Sequence, residues 1–236
     1  MSYFKPLLLA SVVLSIAACN SDSLSFYQAT GDEQGIYIDS QKPIVMFVDT
    51  ETNEFPVFIG DFNKGAVYAT KRTIDTLPNI KTKGAISGGL FGWLDDEDTE
   101  LKIQIADNTA TVSGVMNKGS IDYSLSKSSD SQSLQELASG WVEDTSYLNW
   151  QILESGMFMI NTKSLGCVLT GTMVEKNGYY VSNDVYAQEC KNSDFDGEYT
   201  HARLATFQQN QRQYLVGVFV KDDSVIWQNT SQELIN

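Results

Sequence analysis

From Gly35 onward the chain is a succession of short apolar runs separated by turn formers. Residues 36–38, 44–48, 55–59, 66–69, 101–105, 110–116 and 121–125 are rich in β-branched and aromatic side chains, the composition of strands. Leu101-Lys102-Ile103-Gln104-Ile105 alternates without a break, so one face of that strand packs and the other is wet. Asn63-Lys64-Gly65, Asp107-Asn108 and Asn117-Lys118-Gly119 offer residues that tolerate positive φ and read as turns. A second set of strands is expected over 147–153, 157–161, 167–174, 179–187, 198–207, 213–220 and 225–227.

Between the two sets the period changes. Ser133 and Glu136 have the spacing of a capping box, Leu134, Leu137 and Ala138 supply a small apolar face, and Gly140 ends it, which predicts a short helix over 132–139. The Ser/Asp-rich residues 126–131 before it read as part of a linker. Thr230 and Glu233 repeat the box near the C-terminus and suggest a second short cap. The expected fold is all-β, with two small antiparallel β-barrel or β-sandwich domains, 35–126 and 140–236, joined by a linker at 127–139 that carries a short helix.

The N-terminal stretch is different. One cation, Lys5, precedes an apolar run over 7–16, and the small residues Ala17-Ala18 lead into Cys19, the layout of a secretory leader with its cleavage site. The run is too short to cross ~30 Å of hydrocarbon, which takes about 20 apolar residues. Ile16-Ala17-Ala18-Cys19 resembles the lipobox of bacterial lipoproteins. That resemblance implies that residues 1–18 are a signal peptide and that Cys19 is acylated and holds the protein to a lipid bilayer. Residues 19–34 then form a tether, and Asn20 after the cysteine implies the outer membrane. The body resembles two-domain β-rich outer-membrane lipoproteins of Gram-negative bacteria through Gly166-Cys167, Thr170-Gly171, the Asn177-Gly178 hairpin, a second cysteine and the hairpin around Leu215-Val216-Gly217-Val218. Those motifs carry fold, not activity.

With Cys19 assigned to lipid, Cys167 and Cys190 remain as an even pair in an exported chain and are expected to form a disulfide. A two-residue Asn177-Gly178 turn would place Cys167 opposite Gln188, so either a Gly178-Tyr179 turn or a bulge must correct the register. The formal net charge of −14 argues against nucleic acid as a partner, since no basic surface is available for phosphate.

Candidate chemistry is sparse. His201, the one histidine, shares a strand face with Tyr199 and Arg203, which predicts a surface position. Asn192-Ser193-Asp194-Phe195-Asp196-Gly197 matches the first half of a calcium loop, but Arg203 stands where the bidentate Glu belongs. Asp95-Asp96-Glu97-Asp98 reads as a solvated acidic loop. No metal and no cofactor is expected. Ser87-Gly88-Gly89-Leu90-Phe91-Gly92-Trp93-Leu94 combines glycines with large apolar residues, which marks Phe91 and Trp93 as candidate partner-binding residues, against burial beside a glycine bulge as the alternative. The expectation is a non-catalytic outer-membrane lipoprotein acting as a binding or structural module of the envelope, with an envelope protein or glycan as its partner. The alternative is a periplasmic inhibitor or immunity-type protein against a cell-wall-degrading enzyme such as lysozyme.

Overall fold

A computed structural model of the protein describes residues 33–75, 79–89, 92–140, 148–162 and 165–233. The signal segment 1–18, Cys19, Phe91 and all of the tether except Glu33 and Gln34 lie outside the described residues. Eight antiparallel strands close into a barrel in chain order: β1 (Gly35–Ile38), β2 (Ile44–Val48), β3 (Val57–Asp61), β4 (Ala66–Asp75), β5 (Asn79–Gly89), β6 (Gly92–Ala106), β7 (Thr109–Met116) and β8 (Gly119–Lys127). Closure is made by β8 on β1, with Lys127 opposite Tyr37. Alternate residues fill the interior, among them Tyr37, Met46, Ile59, Leu101, Ile103, Val112 and Leu125, so the barrel is a packed core.

The outer face divides the wall in two. On β6 to β8 the outward residues Lys102, Gln104, Thr111, Ser113, Asp122 and Ser124 are exposed, as the strict alternation predicts. On β1 to β5 the outward residues Ile36, Val45, Phe47, Phe58, Val67, Ala69 and Ile86 are buried. Strands covered on both faces read as unbroken apolar runs, which is what 44–48 and 57–59 are. A membrane-spanning barrel has an apolar outer band and a polar interior; here half the outer wall is polar and the interior is apolar.

The cover comes from the second half of the chain. One sheet holds β12 (Val174–Lys176), β13 (Tyr179–Ser182), β16 (His201–Gln209), β17 (Arg212–Lys221) and β18 (Ser224–Glu233) in that spatial order. Its barrel side contributes Tyr179, Ala205, Phe207, Val216, Val218, Val220 and Val225 to a core shared with the outer wall. Its other side faces a sheet of β15 (Gly197–Tyr199), β14 (Val185–Gln188), β11 (Val168–Thr172), β10 (Met157–Thr162) and β9 (Leu148–Ile152), with Trp150, Phe158, Leu169, Leu204, Leu215 and Phe219 between them. The molecule is therefore all-β and three-layered, barrel wall on central sheet on outer sheet, and the two halves are fused through a common core.

Three strands expected as single runs are each divided between the two sheets. The run 167–174 breaks at Met173 into β11 and β12, 179–187 breaks at Asn183-Asp184 into β13 and β14, and 198–207 breaks at Thr200 into β15 and β16. The chain thus turns a corner from one sheet into the other. Asp184 pins the corner: its Oδ1 accepts from the Thr172 amide at 3.0 Å and from the Ser182 hydroxyl at 2.8 Å. The Thr172 hydrogen bond holds the Asp184 carboxyl below its ordinary pKa. Asn177 and Gly178, at φ 52° and 79°, make the tight turn that pairs Lys176 with Tyr179. Past the corner the register has moved by one residue, Val168 lying opposite Gln188. The corner thus supplies one of the two residues of correction that bring Cys167 to Cys190, and the turn supplies none. Glu189, at φ 61°, precedes Cys190, and the Cys167–Cys190 disulfide is formed with its Cα atoms 4.0 Å apart.

The helix is present as α1 (Leu134–Gly140), capped reciprocally by Ser133 and Glu136: the Ser133 amide donates to Glu136 Oε2 at 2.8 Å and the Glu136 amide to Ser133 Oγ at 3.3 Å. The stretch before it, expected as linker, is stitched down. Ser128 N donates to Ile36 O, Ser131 N to Gly178 O and Thr206 N to Ser131 Oγ. The second capping box is a coincidence of spacing, since Thr230 and Glu233 lie in β18 opposite Leu215 and Arg212.

Candidate functional site

Trp93 opens β6 at one mouth of the barrel, half-buried beside the β5–β6 turn. Of the glycines before it, Gly88 serves packing. A Cβ on Gly88 would stand 2.5 Å from Val225 Cγ1, so glycine at that position is what allows β18 to lie directly on the barrel wall. This close approach sets Val225, Ile226 and Trp227 beside Gly89 and Gly92. From the opposite side Phe195 meets the Trp93 ring edge to face, with centroids 5.0 Å apart. Together with Leu165 and Gln228 these residues line a cleft of about 240 Å³. Pockets for drug-sized ligands span ~300–1,000 Å³, so this one suits a single bulky side chain.

The Phe195 platform is rigidly held. It sits on a 3-10 turn (Ser193–Phe195) capped by Asn192, whose side-chain oxygen accepts from the Asp194 amide at 3.1 Å. Tyr199 donates its hydroxyl to Phe195 O at 3.0 Å, and burial raises the pKa of that phenol. Lys221 Nζ donates to Asp194 O at 2.7 Å and to Asp196 O at 2.6 Å, while the Cys190 amide donates to Asp196 Oδ1 at 3.0 Å. The stretch that resembles half a calcium loop thus cradles an ammonium group from its own chain. The disulfide closes the base of this loop. Trp93 also borders a recess walled by Asp194, Glu198, Asp222, Asp223 and Lys221.

A second cluster lies at the seam between barrel and central sheet. Asp49 and Arg203 are 1% and 4% exposed, and their charged groups are 3.3 Å apart. Lys176 Nζ donates to both Asp49 oxygens, at 2.9 and 3.1 Å, and the Arg203 guanidinium lies over the Phe58 ring at 5.2 Å. Arg203 is therefore a core residue, because the strand face that alternation assigns to solvent is covered by the barrel, whereas Tyr199, past the corner at Thr200, is buried with Ala202 and Leu204 between the two sheets. His201, on β16, is only partly exposed, with its ring 4.9 Å from that of Phe55. Burial lowers its pKa, Glu54 opposes this, and Arg203 adds to it. Its Nδ1 is 3.0 Å from Thr200 Oγ1 and its Nε2 3.5 Å from Glu54. These are the members of a hydroxyl–imidazole–carboxylate relay, but the Glu54 side chain is 73% exposed, so its hold on the ring is screened.

The acidic run 95–98 is strand, not loop: it lies within β6, where Asp95 pairs with Ile86 and Asp96 with Ala85. Cations from neighbouring strands make this possible. Lys71 Nζ reaches Asp95 at 2.7 Å and Glu97 at 2.5 Å, and Lys83 Nζ reaches Asp98 and Glu100 at 3.5 and 3.2 Å. The Lys71 hydrogen bond lowers the pKa of Glu97. Among the described residues no group of three His, Cys, Asp or Glu side chains is placed to hold a metal ion.

Of the residues singled out from sequence, Trp93 lines the cleft, and Cys190 of the disulfide is bonded to the loop that carries its ring partner Phe195. Phe195, Leu165 and Trp227 were missed, because only the three-dimensional packing of β18 and the disulfide loop brings them to Trp93. No family model matches the chain, and no curated protein or solved structure is significantly similar to it.

Proposed function

We propose that the protein is a non-catalytic binding module of the outer membrane, anchored through an acylated Cys19, and that its ligand seat is the Trp93–Phe195 cleft. The observation that carries this reading is the cleft itself, an apolar hollow of side-chain size with a pre-organised rim. Topology supports the anchoring. In an up-and-down barrel alternate turns lie at opposite ends, so the β5–β6 turn beside Trp93 is at the mouth far from the start of β1. A protein held from its N-terminus presents that mouth outward. Residues 20–33, fully extended, would reach ~45 Å, enough to hold the body clear of lipid headgroups. The disulfide accords with an oxidising compartment.

The test places a photo-crosslinking residue at Leu94, which is exposed, in intact cells. A discrete adduct is expected that disappears in Trp93→Ser while the melting temperature of that variant is unchanged. An adduct that survives Trp93→Ser refutes the seat, and failure of a palmitate analogue to label Cys19 refutes the anchor. The acidic recess beside the cleft also favours the inhibitor reading, in which the target is a basic enzyme. Lysozyme inhibition measured across salt concentrations decides that version, and no inhibition at low salt removes it.

A further inference from the structure

We infer that the cleft takes a cationic peptide segment, one bulky apolar side chain entering between Trp93, Phe195 and Trp227 while an adjacent Lys or Arg engages the neighbouring carboxylates. This rests on the cleft being the ligand seat and adds the chemistry of what fills it. The apolar hollow and the acidic recess share Trp93 as a common wall, so a ligand that fills one reaches the other within a residue or two. Four carboxylates line or flank the recess, those of Asp194, Glu198, Asp222 and Asp223, all on exposed residues. The single ammonium there, Lys221, is turned inward onto the carbonyl oxygens of Asp194 and Asp196 and over the Tyr199 ring. The local field is therefore negative, in a chain whose formal net charge is −14. Such a field accelerates encounter with a basic partner and repels acidic ones. An extended segment alternates its side chains, so an apolar residue and a cationic neighbour point to opposite sides unless the segment turns. The hollow and the recess have Trp93 in common, and a segment bent at the apolar residue can present both side chains to it.

The experiment is titration calorimetry of the full chain with three capped synthetic peptides that alternate lysine and leucine, glutamine and leucine, or lysine and serine. The Lys/Leu peptide is expected to bind, the other two at least about tenfold more weakly, a difference of ~1.4 kcal/mol. Combined Asp194→Asn, Glu198→Gln, Asp222→Asn and Asp223→Asn substitution is expected to weaken the Lys/Leu peptide about tenfold and to flatten its salt dependence, since exposed charges are screened beyond ~8 Å at physiological ionic strength. These side chains are at the surface, so the melting temperature is the control for folding. Equal binding of the Gln/Leu and Lys/Leu peptides overturns the cationic assignment while leaving the cleft as the seat. If Lys/Leu binding is unaffected by Trp93→Ala, or if no peptide binds, the seat falls as well.

Discussion

Removing Asp49 is expected to be the most damaging single polar substitution in the described structure. Among the described residues, the Asp49 carboxylate, 1% exposed, is the only side-chain anion on the Arg203 guanidinium, which is itself 4% exposed. Asp49→Ala would leave Arg203 buried with one backbone acceptor, Ala202 O at 2.9 Å, and its Nε, which has no partner, still unsatisfied. Stranding one member of a buried pair costs ~3–5 kcal/mol. Lys176 does not add much to this, because its side chain is 32% exposed and can turn to Glu51 at 3.4 Å or to water. Replacing both partners by apolar residues, Asp49→Leu with Arg203→Met, removes the stranded charge and is expected to cost under about 1.5 kcal/mol. Urea unfolding of wild type, both single variants and the double variant forms a cycle whose coupling is expected to exceed ~2 kcal/mol. Because the shared apolar core ties the barrel to the central sheet, the transition should stay single even where the pair is removed. Single-variant losses below ~1 kcal/mol would mean that the pair behaves as a surface ion pair and would refute the reasoning. Separate transitions for barrel and sheets would refute the common core.

Two further outcomes follow from particular side chains. Burial lowers the pKa of His201, the one histidine, so the unfolded chain binds its proton more tightly than the folded one; stability is full above about pH 6.5 and falls as pH drops through the lowered folded value. His201→Gln should flatten the stability profile between about pH 7 and 5, and an unchanged slope in calorimetric melts would exclude the histidine as its source. Gly88→Val should destabilise by ~1–3 kcal/mol through the clash with Val225, detectable as a lower urea midpoint, whereas the same substitution at exposed Gly119 should cost less.

Much of the barrel was legible because its wettest strands alternate cleanly: Leu101 to Ile105 and Ile121 to Leu125 alternate inward apolar with outward mostly polar residues, as period-two patterning requires. β5 was missed. Its inward residues include Thr82 and Ala85, a bulge at Gly84 interrupts the alternation, and it ends in two glycines, of which Gly88 serves the approach of β18. The corner was also invisible, since Met173 and Thr200 carry no turn signal and bend only because both sheets demand it. Arg203 was misplaced on the surface for a related reason: alternation identifies which residues share a face, but not what covers that face. The site was half legible. Trp93 stands out among glycines, whereas its partners Phe195 and Trp227 are separated from it by more than a hundred residues.

The fused layers carry a consequence for how the chain matures. Val67 and Gly88 belong to early strands, yet the residue that seals them, Val225, arrives in the last one. A polypeptide emerging N-terminus first can close its barrel and still expose a sticky flank until the final hairpin is delivered. Premature termination before Ser224 should therefore yield an aggregating fragment, not a smaller functional module, and a holdase would be needed to shield that flank in the interval.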